Sequence, residues 1–207
     1  MADIQTIRFD AQGLVPVVVE DLSGGVLMLA YADAAAIEKT RATGEAHFYS
    51  RSRKALWRKG ETSGNVLAVR EIRIDCDGDA LLYLVDPSGP ACHTNERSCF
   101  HRRLDGSAPE AIGSEMLGVL ETTLRDRKRN PPTNSYTARL FAAPAAETHT
   151  KIGEEAFEVV LASERGDLEN LAWEIADLWF HTTVLLVRHG VPVARVFAEL
   201  ARRRAPK

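Results

Sequence analysis

The chain has 207 residues, 45% of them hydrophobic and 27% charged, with a formal net charge of −3 at pH 7. That length admits one large domain or two small ones, and the composition is that of a folding globular chain. A charge so near neutral offers no basic field for nucleic acid, and no apolar run reaches the roughly 18 residues that span a bilayer, so neither partner is expected. The opening MADIQTIRFD lacks the basic start and apolar run of a signal peptide, which predicts a cytoplasmic protein. In that reducing compartment Cys76, Cys92 and Cys99 read as buried thiols or metal ligands rather than disulfides.

Short β-rich runs fill the first hundred residues: VPVVVE at 15–20, VLMLAY at 26–31, AHFY at 46–49, VLAVREIRID at 66–75 and ALLYLVD at 80–86. Asp33 can cap a single helix that runs to about Thr43, where Gly44 supplies a left-handed stop. Gly24-Gly25 and Asp77-Gly78 mark hairpin turns. This half is predicted as α+β, mainly β. The stretch LDGSAPEAIGS at 104–114 lacks periodic apolar residues, and the domain boundary is placed there, giving units 1–108 and 109–207. Beyond it Leu117, Leu120 and Leu124 recur at helical spacing, and apolar stripes run through 152–162 and 168–189. The second half is predicted as an all-α helical bundle, with Gly190 ending one helix and Pro192 in the first turn of the next.

The helical half holds Glu154, Glu155, Glu158, Glu174 and Asp177 around a turn at Arg165-Gly166-Asp167. If Gly166 joins two antiparallel helices, Glu158 and Glu174 lie eight residues to either side, and Glu155 and Asp177 eleven, so paired acids sit at matching heights. Partners three apart on one helix differ by about 60° around its axis, so four carboxylates can converge. Such a cluster repels itself unless cations are present, and Mg²⁺ prefers oxygen ligands while leaving positions for a phosphate substrate. The alternative is solvated acids on outer faces. The apolar flanks Ile152, Ala156, Phe157, Val159, Ile175, Ala176 and Leu178 argue instead for acids near the helix seam.

This pattern, E-E-x-x-E, a spacer, then E-x-x-D, resembles the all-α nucleoside triphosphate pyrophosphohydrolases. The preceding K-I-G and the upstream RDRKRNPPTNSYT resemble the phosphoribosyl-ATP pyrophosphohydrolase branch over about 114–205. The resemblance implies Mg²⁺ at Glu155, Glu158, Glu174 and Asp177, with Glu154 auxiliary and a carboxylate, Glu155 or Glu158, as base. Lys151, Arg127 and Lys128 are candidates for phosphate contacts, or else exposed solubilising charges.

In the first half, Asp75-Cys76-Asp77-Gly78-Asp79 is followed by Cys92 and Cys99 at spacings of sixteen and seven. Three thiolates without an evident fourth ligand fit a catalytic Zn²⁺ better than a closed structural site. His93, beside Cys92, is a candidate proton shuttle, and Asp75, Asp77 and Asp79 offer hard oxygens suited to Mg²⁺. An EF-hand is disfavoured, because its glycine position holds Ala80 and its twelfth position Asp86. Lys59, Ser63, Gly64 and Asn65, in the tract 51–65, can cradle a phosphate, whereas Trp57 can belong to the core.

The runs VLMLAY, FYSRSRKALWRKGETSGN, IRIDCDGDALLYLVDPSGPACHT and ERSCFHR resemble phosphoribosyl-AMP cyclohydrolases over about 14–103. The resemblance implies Mg²⁺ at Asp75, Asp77 and Asp79, and Zn²⁺ at Cys76, Cys92 and Cys99. It also implies a homodimer in which Cys76 of one copy joins Cys92 and Cys99 of the other. Asn95 departs from the family pattern, standing where many relatives have glycine. Together the two resemblances imply a bifunctional hydrolase acting on phosphoribosyl nucleotides in histidine biosynthesis. The rivals are a general nucleotide pyrophosphohydrolase with a zinc-binding accessory module, and a metal-binding assembly protein without turnover.

Overall fold

The computed structural model describes residues 4–108 and 113–204. The chain divides into two compact units, Met1–Glu110 and Ala111–Lys207. The sequence boundary between 108 and 109 falls at residues 109–112, which lie outside the described residues.

In the first unit, strands β1 (Val15–Asp21), β2 (Val26–Ala32), β5 (Leu67–Ile74) and β6 (Leu81–Pro87) form a mixed sheet ordered β2-β1-β6-β5. β1 pairs antiparallel with β2 and parallel with β6, and β5 pairs antiparallel with β6. The strict alternation of buried and half-buried residues along β1 follows from the two-residue period of a strand with one face inward. That face carries Val15, Val17 and Val19 into a core with Leu27, Phe48 and Tyr83.

Helix α1 (Ala34–Thr43) begins where Asp33 accepts from the Ala36 N–H at 2.8 Å and ends at Gly44, whose φ of 70° is left-handed. A separate hairpin joins β3 (His47–Ser50) to β4 (Ala55–Arg58), a strand that the sequence reading did not place. The unit is α+β and mainly β, as expected.

The second unit is helical throughout, with α2 (Glu115–Arg129), α3 (Tyr136–Ala142), α4 (Ala145–Arg165), α5 (Leu168–Arg188) and α6 (Val193–Arg204). α4 stops at Gly166, φ 68°, and α5 starts at once because Asp167 accepts from the Asn170 N–H at 3.1 Å. Two 21-residue helices joined by so short a turn fold back on each other. Leu124, Leu140, Val184 and Val187 form the core between α2, α3 and α5. Pro192 stands one position before α6 rather than within its first turn. Among the described residues no helix is long and apolar enough to cross a membrane.

Candidate functional site

Three groups of chemistry-bearing side chains take shape. At the β5–β6 turn, Asp75, Asp77 and Asp79 each place an oxygen within 4.8 Å of the other two, all exposed. Gly78 makes the turn possible: its φ is 82°, and a Cβ there would stand 2.6 Å from the Thr6 carbonyl oxygen. The Ala80 N–H donates to Asp75 Oδ1 at 3.0 Å and holds that carboxyl below its ordinary range. The Asp77 charge, desolvation and the Asp75 charge push Asp79 up.

The loop after β6 carries the second group. Cys92 is buried, with its Sγ 3.0 Å from Thr94 Oγ1 and 3.9 Å from His93 Nδ1. The Thr94 hydroxyl, followed by its backbone N–H and helped by Cys99, holds the Cys92 thiol below the usual range. Cys99 is raised by desolvation and by Cys92, with Lys59 acting in the opposite sense, so the two thiols and Lys59 are neighbours. Lys59 is only 8% exposed. Cys76 is exposed on the β5–β6 turn, and the three thiols do not form a group within 4.8 Å among the described residues.

This loop is tied to the sheet. The Cys99 N–H donates to the Leu27 carbonyl at 2.8 Å, the Ser98 hydroxyl donates to the Val26 carbonyl at 2.7 Å, and Arg97 bonds the buried Asp21 carboxylate. Asn95 takes a φ of 69°, a region that asparagine enters more readily than most side chains, so the loop keeps the course a glycine would allow.

The third group lies between α4 and α5. Oxygens of Glu155, Glu158 and Glu174 converge within 4.8 Å, Glu155 being buried, Glu174 half-buried and Glu158 exposed. Desolvation, then the charges of Glu158 and Asp177, push the Glu155 carboxyl above its ordinary range. Asp177 is thus close to Glu155 but outside the 4.8 Å group. Phe157 does not line the seam; it is 63% exposed. Positions two apart on a helix point about 200° apart, so burying Glu155 turns Phe157 outward.

Residues 28–101 match the family described as phosphoribosyl-AMP cyclohydrolase, and residues 117–204 match phosphoribosyl-ATP pyrophosphohydrolase. A histidine biosynthesis bifunctional protein HisIE from Thermus thermophilus is 47% identical, over 99% of this chain and 96% of its own length. The chain belongs to the HisIE family. Members from Deinococcus radiodurans and Bacillus subtilis are 48% and 45% identical, over 97% and 98% of this chain and 93% and 97% of theirs. As a HisIE protein it is a bifunctional hydrolase of histidine biosynthesis, with the cyclohydrolase unit first and the pyrophosphohydrolase unit second.

The donor sets of this HisIE chain fit the metals differently. Two clusters of mutually repelling hard oxygens suit Mg²⁺, whereas the soft thiols suit Zn²⁺ but are assembled only as the pair Cys92 and Cys99 in one copy.

The basic candidates are more dispersed. Lys151 is drawn to Glu154 at 2.7 Å, and Arg127 donates to Thr137 Oγ1 at 3.1 Å. Lys128 spends two donors on the carbonyls of Val187 and Arg188, each at 3.1 Å, which caps the end of α5. Ser63, Gly64 and Asn65 form a turn in which Ser63 Oγ accepts from the Asn65 N–H at 3.2 Å.

Two features went unread in the sequence. A cleft of about 710 Å³ opens over β2, β3 and β4, lined among others by Tyr31, Tyr49, Arg51, Arg53 and Trp57, with the Arg51 guanidinium 3.9 Å from the Tyr31 ring centre. In the helical unit, buried His181 sets Nδ1 3.7 Å from Glu155 Oε1. Its only sequence signal is a polar residue inside the apolar stripe WFHTTVLLV.

Proposed function

We propose that the two hydrolyses are carried by the acidic cluster of α4–α5 and by a thiol site completed between two copies of the chain. The convergence of Glu155, Glu158 and Glu174 around a buried carboxylate is the observation that carries this reading. The helical unit converts phosphoribosyl-ATP and water to phosphoribosyl-AMP and pyrophosphate, and the β-rich unit adds water across the N1–C6 bond of phosphoribosyl-AMP to open the adenine ring.

Glu155, Glu158, Glu174 and Asp177 would hold Mg²⁺, which supplies neutralising charge for a triphosphate. Glu155 or Glu158 takes the proton of the attacking water, and Lys151 lies beside them for the phosphate chain. In the first unit Asp75, Asp77 and Asp79 would hold a second Mg²⁺. Cys92 and Cys99, with Cys76 of another copy, would hold Zn²⁺, which supplies Lewis acidity toward water at neutral pH. His93, beside Cys92, moves the proton from water toward the leaving ring nitrogen. The Arg51 and Arg53 cleft offers cations and aromatic faces to a phosphorylated purine nucleotide, with Lys59, Ser63, Gly64 and Asn65 on the same tract.

A homodimer is supported by two observations. The thiol set is incomplete in one copy, and Phe157, Val160, Leu168, Trp173 and Trp179 on α4 and α5 are each more than half exposed. Free cysteines suit a cytoplasmic enzyme. The test is equilibrium dialysis with Zn²⁺ alone across a dilution series: zinc retained by dimer and lost with dissociation supports the shared site, whereas zinc held tightly by monomer contradicts it.

A further inference from the structure

The β3–β4 hairpin turns through Arg51-Ser52-Arg53-Lys54, three cations in four residues, and both arginines line the cleft of about 710 Å³. They are held differently. Arg53 is engaged by its own neighbours: its guanidinium stands 3.7 Å from Glu61 Oε1, and its backbone N–H and Nε donate to Ser50 Oγ at 3.2 and 3.5 Å. Arg51 forms no ion pair among the described residues, and its guanidinium carbon lies 3.9 Å from the Tyr31 ring centre. An aromatic face occupies the flat side of a guanidinium and leaves its N–H donors, which lie in the plane, free to bond. Arg51 is therefore a preorganised fork of donors without an acceptor, on the wall of a cavity.

Tyr31 fixes where that fork stands. It belongs to β2, whose Val26 and Leu27 carbonyls accept from the Ser98 hydroxyl at 2.7 Å and the Cys99 N–H at 2.8 Å. A strand advances about 3.3 Å per residue, so Tyr31 stands roughly 13 Å along β2 from the Cys99 tie. Leu29, Ala30 and Tyr31 line the cleft over the end of that span. A purine reacting at the thiols covers such a distance with its ribose and terminal phosphate. Phosphoribosyl-AMP carries its negative charge on two terminal phosphates, one at each end, and a planar guanidinium matches a pair of phosphate oxygens.

We propose that Arg51 binds one terminal phosphate monoester of phosphoribosyl-AMP, and that Tyr31 is the positioning residue whose ring holds Arg51 ready for it. This deepens the reading that the β-rich unit opens the adenine ring at its thiol site.

The test measures ring opening by the full chain, with Mg²⁺ and Zn²⁺ present, on phosphoribosyl-AMP and on two analogues that each lack one terminal phosphate. Arg51→Met should raise KM for phosphoribosyl-AMP about 10- to 100-fold with kcat nearly unchanged, the pattern of lost uniform binding. It should also abolish the wild-type penalty on one analogue and keep it on the other, which identifies the phosphate that Arg51 holds. Arg51→Lys keeps the charge without the fork and should recover only part of the loss. Tyr31→Leu should raise KM about three- to tenfold, less than loss of the guanidinium itself, and Tyr31→Phe, which keeps the ring, should restore most of that. In Arg51→Met the further change Tyr31→Leu should add nothing, because Tyr31 acts through Arg51.

Zinc content and pyrophosphate release should match wild type in every variant, which separates a lost phosphate contact from a misfolded chain. If Arg51→Met keeps the full wild-type penalty on both analogues, or Tyr31→Leu costs as much without Arg51 as with it, the proposal is overturned while the activity assignment stands. If wild type itself opens no ring, the activity assignment falls.

Discussion

Arg97, between Cys92 and Cys99, bonds the carboxylate of Asp21 at the end of β1, 76 positions away. Asp21 also accepts from the N–H groups of Ser23 and Gly25, at 2.9 and 3.1 Å, so one buried carboxylate ties the β1–β2 turn to the loop that carries two thiols. Sheet and thiol loop are therefore one mechanical unit.

Removing Asp21 leaves the half-buried Arg97 and two turn N–H groups without their acceptor. Asp21→Ala is expected to cost the first unit about 1–3 kcal/mol and to weaken zinc retention. Urea unfolding followed by Trp57 fluorescence in a background with Trp173→Phe and Trp179→Phe, together with a zinc titration, measures both; an unchanged midpoint would show that the loop is held by other contacts.

Gly60 has a φ of 86°, and a Cβ on it would lie 2.6 Å from the Asn65 carbonyl carbon and oxygen. Gly60→Ala combines a disfavoured backbone with a clash against main chain, and a loss of about 1–3 kcal/mol is expected. The turn also carries Lys59 to Cys99. Ring opening should fall more than pyrophosphate release in a two-activity assay.

A shared thiol site makes a distinctive genetic prediction. Cys76→Ser and Cys99→Ser homodimers should each fail to open the ring, whereas equal mixtures, unfolded and refolded together, should regain about a quarter of wild-type activity, because half the dimers are mixed and each has one intact site. Absence of any recovery would mean that each copy supplies all three thiols itself.

Glu155 is raised above its ordinary value of 4.5 by desolvation and then by Glu158 and Asp177. The folded state then binds more protons than the unfolded one above that value, so stability falls as pH rises from 4.5 through the raised folded pKa. In chelator, Glu155→Gln should flatten that decline and be more stable than wild type at neutral pH. Adding Mg²⁺ should stabilise the helical unit of wild type more than that of the variant.

Sequence periodicity was a good guide where an element buries one face. β1 and β6 alternate buried with more exposed residues, and α4 and α5 carry long apolar stripes. β4 escaped because four residues of ALWR show no alternation, and α3 because seven residues after two prolines hold barely two turns.

Site residues behave similarly. Glu158 and Glu174 could be matched by counting outward from Gly166, since a tight turn equates distance along the chain with height. The His181–Tyr136 bond has no such counting rule; it depends on how α3 lies against α5. Cys76 was legible as a ligand type, and the structure shows that one copy does not group it with the other two thiols.

The most direct measurement supplies purified chain with phosphoribosyl-ATP, Mg²⁺ and Zn²⁺ and follows pyrophosphate release and the ring-opening absorbance change together, in wild type, Cys92→Ser and Glu174→Gln. Wild type should give both signals. Cys92→Ser should keep pyrophosphate release and lose ring opening; Glu174→Gln should lose pyrophosphate release while still opening the ring of added phosphoribosyl-AMP. Loss of both activities in either folded variant would contradict two separate sites.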